Sequence, residues 1–268
     1  SQCGLFATGK VLRRFGIPFT YLKNCNLEDE CFAEGIDRFL RVCNVVKAFR
    51  NTRVLQISTR PFDFWSTMCN EGELLEKFGI QLSPIPMPEL TQAMKDVKEN
   101  SPEEIKEVTD YCREKMCIKV TPEQLDNVAA LKIAMTRLGK KYGCNCGAIQ
   151  CWNALQDEIG IMPCAANALC NDEGFPIACE TDIHGTITSV LVEAAAMGET
   201  RSFFADWTVR HPYNDNAELL QHCGPWPISI AKEKPTIDTP VAFDCSGSLM
   251  AQAKDGEHIS LVRFDGDN

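Results

Sequence analysis

No run of apolar residues in the 268-residue chain reaches the roughly 18 that a membrane-spanning helix needs. Nor is there a basic run: 27 Lys and Arg stand against 37 Asp and Glu, a formal charge of −10 with a pI near 5.0. Such a surface repels polyphosphate backbones, which takes nucleic acid out of the expected partners and, with the missing apolar run, the membrane as well. Several chemistry-bearing signatures are missing too. There is no GxGxxG after a strand and no GxxxxGKS or GxxxxGKT, so dinucleotide and P-loop readings lack support. Neither a GxSxG elbow nor an HExxH helix occurs, and no internal repeat or low-complexity tract is present. Histidine is scarce, at 4 residues, which makes each one worth placing.

What is present reads as a soluble globular protein. Hydrophobic residues make up 44% and charged residues 24%, the ordinary balance for a chain that buries its own core as one large or two smaller domains. Cysteine is abundant, at 15. An odd count without a secretory leader argues against a disulfide framework and for reduced thiols in a cytoplasmic protein. Cys43, Cys151 and Cys179 sit in apolar segments and are expected to be buried thiols. Cys144 with Cys146, Cys112 with Cys117 and Cys164 with Cys170 never assemble into a paired CxxC set, so a structural zinc site is disfavoured.

Along the chain, Phe32, Ile36, Phe39, Leu40, Cys43 and Val46 recur at helical spacing, with Asn26 a candidate N-cap. Arg53–Ser58 reads as a strand, Asn70–Phe78 as a helix stopped by Gly79, and Ile80–Ile85 as a second strand, which makes a βαβ unit. Prolines 84, 86 and 88 predict an extended loop. Two helices are expected between Glu89 and Met116, and Ser101-Pro-Glu-Glu104 and Thr121-Pro-Glu-Gln124 both read as helix starts. The second helix would run to Tyr142 with Gly143 as its stop. Strands are expected at Gly147–Trp152, Phe175–Glu180 and Ser202–Asp206, and an Ala-rich helix over 184–197 closed by Gly198. Alternating β and α from about Arg50 to Asp206 predicts an open, mostly parallel α/β sheet with helices on both faces. Beyond Asp206, prolines and short apolar segments predict the start of a β-rich C-terminal domain. His258–Phe264 alternates like a strand, and Asp265-Gly-Asp-Asn268 reads as a turn that would lead to a partner strand. A longer polypeptide is therefore expected.

In open α/β sheets, function gathers at the carboxyl ends of strands. Glu180 and Asp206 each end an apolar run there. An acid at such a rim needs a partner, and for either one alone a helix cap or an ion pair is the plainer reading. His222 closes another apolar segment, just before Gly224 and Pro225. Two carboxylates and one imidazole suit a divalent cation such as Mn²⁺ that keeps open positions. Asp182 reads better as the cap of the following helix than as a ligand. Cys223 next to His222 suggests a thiol nucleophile, but neighbours in an extended segment face opposite ways, which argues against a shared proton.

Cys151-Trp-Asn-Ala-Leu-Gln-Asp-Glu-Ile-Gly-Ile-Met-Pro-Cys164, Asn171-Asp-Glu-Gly-Phe-Pro-Ile-Ala-Cys-Glu-Thr-Asp-Ile-His-Gly185, Phe204-Ala-Asp-Trp-Thr208 and His222-Cys-Gly224 together resemble the L-fucose isomerase / L-arabinose isomerase family, most of all its fucose isomerase-like members. The likeness is strongest over about residues 145–230. It implies an aldose–ketose isomerase acting on a pentose or 6-deoxyhexose through a cis-enediol, with Mn²⁺ or another divalent cation. By the same resemblance the chain would be a homo-oligomer, a trimer or hexamer. Residues 1–49 would be a remnant or hinge of a first α/β domain, 50–205 a second that carries the acidic site, and 206–268 the start of a third. Glu180 and Asp206 would be the acid/base pair and the acidic metal ligands, with a histidine as third ligand, either His222 or one beyond residue 268. His184, Trp207 and Trp226 would face the sugar.

A non-catalytic sugar-binding protein on the same fold is the rival reading, since two lobes and a cleft serve binding equally well. A matched carboxylate pair argues against it. A cysteine-based redox or zinc protein is a third, weaker reading.

Overall fold

The computed structural model describes residues 2–239, 245–254 and 259–265. Two helices come first, α1 (Gln2–Arg14) and α2 (Glu30–Arg50). An α/β unit follows: β1 (Arg53–Ile57), α3 (Glu71–Phe78), β2 (Gln81–Ile85), α4 (Met87–Asn100), α5 (Pro102–Lys115) and β3 (Cys117–Ile118). It continues through α6 (Pro122–Tyr142), β4 (Cys146–Ile149), α7 (Ala154–Ile159), α8 (Cys164–Asp172), β5 (Ile177–Ala178) and α9 (Ile183–Ala195). Short strands complete it: β6 (Asp206–Arg210), β7 (Glu218–Gln221), β8 (Thr236–Asp238) and β9 (Ser248–Met250).

The main sheet has the order β2-β1-β4-β5 with every pairing parallel. Side chains of a strand alternate between faces, and the core divides accordingly. Leu55, Ile57, Ile149 and Ile177 pack with Leu90, Leu131 and Leu169 from α4, α6 and α8. Val54, Cys146, Ala148 and Ala178 pack with Leu74 of α3 and Ile183 and Ile187 of α9. Helices therefore cover both faces of an open parallel sheet, as the alternating pattern predicts. Strand order reverses between β1 and β4, which opens a crevice at their carboxyl ends.

Local signals set several boundaries. Asn70 caps α3 by accepting from the Glu73 N–H at 3.1 Å, and Gly79 ends the helix in the left-handed conformation. Thr121 and Gln124 form a reciprocal capping box at α6, with bonds of 3.2 and 2.9 Å. Other expectations need correction. Asn26 is not the cap of α2; its backbone N–H donates to Asp29 Oδ2 at 2.7 Å, which closes a turn, and Asp29 takes the cap position. Ser101 occupies the cap position of α5 without a side-chain cap bond, because its hydroxyl accepts from Arg137 at 2.8 Å instead. The loop predicted by three prolines is shorter, since Pro84 lies within β2 and α4 starts at Met87 with Pro88 in its first turn. Ala196, not Gly198, caps the C-terminus of α9.

No residue of α2 is buried. Its helical stripe is thus real while Ile36, Phe39, Leu40 and Val46 stay exposed, and Cys43 is exposed as well. The helix lies against α9 through Asn44 and Arg41, which donate to the Ala194 and Ala195 carbonyls at 2.7 and 2.9 Å.

The strand predicted at Ser202–Asp206 is absent. Phe204 turns onto His222, ring centroids 5.2 Å apart, while Phe203 stays exposed with its ring 6.4 Å from that of Trp226, and strand structure begins only at Asp206. β6 pairs antiparallel with β7 as a surface hairpin, Asp206 opposite Gln221. β8 joins β3 in parallel and β9 antiparallel. Trp226, Ile228, Ile237 and Leu249 enter the same core cluster as Leu55 and Leu131. Residues 259–265 form no strand; Phe264 N donates to Thr188 Oγ1 at 2.8 Å, so this stretch lies along α9. His258 and residues 266–268 of that expectation lie outside the described residues.

Candidate active site

Three strands deliver their carboxyl ends to one rim. Ser58 after β1 donates to the Gln150 side chain after β4 at 2.7 Å. Past β5 the chain turns sharply, and Glu180 and Thr181 both adopt left-handed backbone, with φ of 55° and 52°. Side chains other than glycine avoid this region, and residues held there gather at functional sites. Local bonds hold the turn: Thr181 N–H donates to the Ile149 carbonyl at 3.0 Å, and its hydroxyl to the Thr59 carbonyl at 3.0 Å. Glu180 is thereby fixed with its carboxylate pointing off the sheet, 8% exposed.

His222, just beyond β7, comes to the same place. Its Nε2 lies 3.7 Å from Glu180 Oε2 and 3.9 Å from Asp206 Oδ2. Both distances exceed a hydrogen bond, and this buried nitrogen has no hydrogen-bond partner among the described residues. Asp206 reaches in from the first residue of the hairpin with its side chain 67% exposed. A surface strand therefore supplies the second carboxylate, rather than the end of a core strand.

Electrostatics follow from this crowding. Burial pulls the His222 imidazole down, but the Cys223 thiol and the Glu180 carboxylate outweigh it and hold its pKa up at about 10. Partial burial pushes the Asp206 carboxyl up, the His222 ring opposes that, and the Glu180 and Asp182 charges add to it. With two-thirds of that side chain open to water, screening keeps the effect on Asp206 small.

The remaining expected residues separate. Asp182 caps α9, accepting from Gly185 N–H at 2.9 Å, and also pairs with Arg263, whose Nη2 lies 3.0 Å from Oδ1. His184, in the first turn of α9, lines the cavity with a buried Nε2 that has no hydrogen-bond partner among the described residues. Trp207 lines the same cavity and is 65% exposed, so its ring can meet a ligand. Trp226 is 5% exposed and packs in the core against Phe203, which leaves it no open face for a sugar. Cys223 Sγ is 3.8 Å from His222 Nδ1, closer than an extended pair allows, because the chain bends after β7.

Glu180, Asp206, Asp182, His184, Trp207 and Arg263 all line a cavity of about 1990 Å³. Arg263 was not expected from sequence; it lies 81 positions from Asp182, and no local pattern links them. Cys151 was also missed. Its thiol donates to Glu180 Oε1 at 3.3 Å and accepts from the Glu180 N–H at 3.4 Å, so it clamps that residue from below.

The donor types suit a divalent cation, but the set is only partly assembled: the donor atoms of Glu180, Asp206 and His222 do not all lie within 4.8 Å of one another. An imidazole nitrogen without a partner faces two carboxylate oxygens at distances too long for bonds among themselves. Metal–ligand bonds of about 2.1 Å bridge gaps of that size.

Residues 1–50 match the family model described as fucose/sulfoquinovose isomerase, N-terminal domain. Among individual proteins, the chain is 25% identical over 235 residues to a sulfoquinovose isomerase of Alkalicoccus urumqiensis, covering 87% of this chain and 52% of that protein. It is 25% identical over 232 residues to a sulfoquinovose isomerase of Priestia aryabhattai, covering 86% and 51%. A third sulfoquinovose isomerase, from Clostridium sp. (strain MSTE9), is 24% identical over 235 residues, covering 87% and 51%. The chain thus spans about half the length of the curated relatives it matches. No described helix is long and apolar enough to cross a membrane.

Proposed function

We propose that this chain carries the site of an aldose–ketose isomerase that works with a bound divalent cation, Mn²⁺ foremost. The observation that carries the reading is the unpartnered His222 Nε2 facing Glu180 Oε2 and Asp206 Oδ2 at 3.7 and 3.9 Å. Those three atoms would hold the cation. When bound, it supplies Lewis acidity to the substrate carbonyl and an anchor for its neighbouring hydroxyl.

The residues divide the remaining work. Asp206, open to the cavity and with a raised proton affinity, takes the proton from the carbon beside the carbonyl and returns it to the adjoining carbon, passing through an enediol. Glu180, clamped by Cys151 and by its turn, keeps its second oxygen aimed at the site and carries the hydroxyl proton across to the former carbonyl oxygen, so that both proton transfers are completed. His184 and Trp207 face the sugar, one with a ring nitrogen and the other with an aromatic surface.

Sulfoquinovose, named by the similar proteins, is the substrate to test first. Its sulfonate asks for cations, and Lys234, Lys254 and Arg263 line the cavity. Lys234 and Lys254 donate to backbone carbonyls at 2.8 Å or less, so their charge stays uncompensated by those bonds. L-Fucose and L-arabinose are the alternatives. Self-association into a homo-oligomer belongs to the same proposal and is supported by Phe6 and Phe15, exposed at 71% and 74%.

The test incubates the purified chain with these sugars, with and without Mn²⁺, and follows aldose–ketose conversion. Glu180→Gln is expected to remove turnover by about a hundredfold or more with the far-ultraviolet circular dichroism unchanged. Full activity in that variant would remove Glu180 from the mechanism. Tight sugar binding without turnover in the unaltered chain would favour the rival reading of a binding protein.

A further inference from the structure

We propose that Cys151, Cys179 and Glu180 form a second cation site, selective for a thiophilic divalent ion, which shares only the Glu180 carboxylate with the His222 and Asp206 donors. One sulfur from each cysteine and one carboxylate oxygen lie within 4.8 Å of one another, and all three residues are buried. Cys151 Sγ stands 3.3 Å from Glu180 Oε1. A tetrahedral zinc-type centre with standard sulfur and oxygen bond lengths places those two atoms about 3.5 Å apart. Cys151 and Glu180 are therefore already at the spacing of bonded ligands, with Cys179 within 4.8 Å of both.

Glu180 divides its two oxygens. Oε1 faces Cys151, while Oε2 faces His222 at 3.7 Å. One carboxylate thus joins a sulfur-rich pocket beneath it to an oxygen- and nitrogen-rich pocket above it. Softness separates the ions that each would take: thiolates select zinc, cadmium and similar ions, whereas carboxylates with one imidazole take Mn²⁺ readily. Cys164 lies beside Cys179 and 3.6 Å from Cys223, which offers a further sulfur at the rear of the pocket. Entry is from the large cavity, which Glu180 lines. Binding replaces the two thiol protons, which leave to solvent, so the ion sits between two thiolates and one carboxylate. Occupancy ties Glu180 Oε1 to the ion and places a second positive charge beside the donors of the upper pocket. Thiophilic ions would therefore antagonise the Mn²⁺-supported reaction, a consequence that rests on the reading under Proposed function. Binding itself does not rest on it.

The probe is cadmium chloride added to the reduced, chelator-stripped full chain, followed by thiolate-to-cadmium ultraviolet absorption and by equilibrium dialysis. The first equivalent should generate the absorption, and the pair Cys151→Ser with Cys179→Ser should weaken it at least about tenfold. Cys112→Ser, a buried cysteine of α5 outside this cluster, should leave it unchanged. Circular dichroism checks the fold of each variant. Should the double variant fail to fold, cadmium-113 NMR of the unaltered chain decides, since a mixed sulfur–oxygen ligand set resonates apart from all-sulfur or all-oxygen sets. Unchanged affinity in a folded double variant, or a resonance without sulfur ligands, overturns the inference. Cadmium absorption without any sugar turnover would leave this site standing and bring down the isomerase reading; turnover without the absorption would do the reverse.

Discussion

Protonation of His222 should compete directly with the cation. In the metal-free protein the imidazole titrates at about 10, because Glu180 and Cys223 outweigh the cost of burial. At neutral pH the ring is therefore charged, and an imidazolium stands where the cation would sit. Three pH units separate pH 7 from that value, so displacing the proton costs about 4 kcal/mol at neutrality. Apparent Mn²⁺ affinity should then rise about tenfold per pH unit from pH 6 to 8.5, with close to one proton released per ion bound. Calorimetry in buffers of different ionisation enthalpy reads that proton. The stability of the metal-free chain carries the opposite sign. The folded pKa is raised above the usual 6.5, so this contribution is complete below about pH 6.5 and is lost as pH rises toward 10. Its ceiling is about 5 kcal/mol. Melting temperature without cation should fall over that range, and added Mn²⁺ should flatten the curve. Affinity independent of pH with no proton released would refute the assignment of His222 to the cation site.

Other perturbations test the frame around the site. Gly224→Ala would bring a Cβ to 2.4 Å from Cys164 Cβ and 2.6 Å from its Cα; it should cost about 1–3 kcal/mol in chemical denaturation and weaken cation binding through the displaced His222. Arg263→Ala removes the ion pair on Asp182 while the cap to Gly185 remains; it should lower sugar affinity more than stability, read as a raised KM with a melting shift under a few degrees. Thr121→Ala breaks the capping box of α6 and should cost about 1 kcal/mol without changing cation affinity. A loss of affinity there would show the site to be less independent of α6 than its contacts indicate.

Much of this protein was legible because it is decided by near neighbours. Asn70 with Glu73 and Thr121 with Gln124 meet three positions apart, so capping chemistry announces where those helices begin. The buried strands β1 and β4 and the helices between them follow from apolar period, and the parallel sheet follows from their alternation. Glu180 and His222 stood out for a similar reason, each a polar residue closing an apolar run.

Tertiary structure alone decided the rest, where the outcome depended on groups far apart in the chain. The stripe on α2 has the spacing of a core helix, yet it stays exposed because burial is a property of what packs against a helix. Asp206 belongs to a hairpin, since β6 pairs with β7 rather than with the main sheet, and the half-buried Phe204 ring gains more against His222 than in a strand. Trp226 went to the core by the same balance, while Trp207 remained at the cavity. Cys151 and Glu180, 29 positions apart, and Arg263 and Asp182, 81 apart, meet only because β4, β5 and the chain beyond β9 converge on one rim. Sequence could name the residues by their chemistry; that Asp206 and His222 lie beside Glu180 depends on the β6–β7 hairpin folding over the carboxyl end of β5.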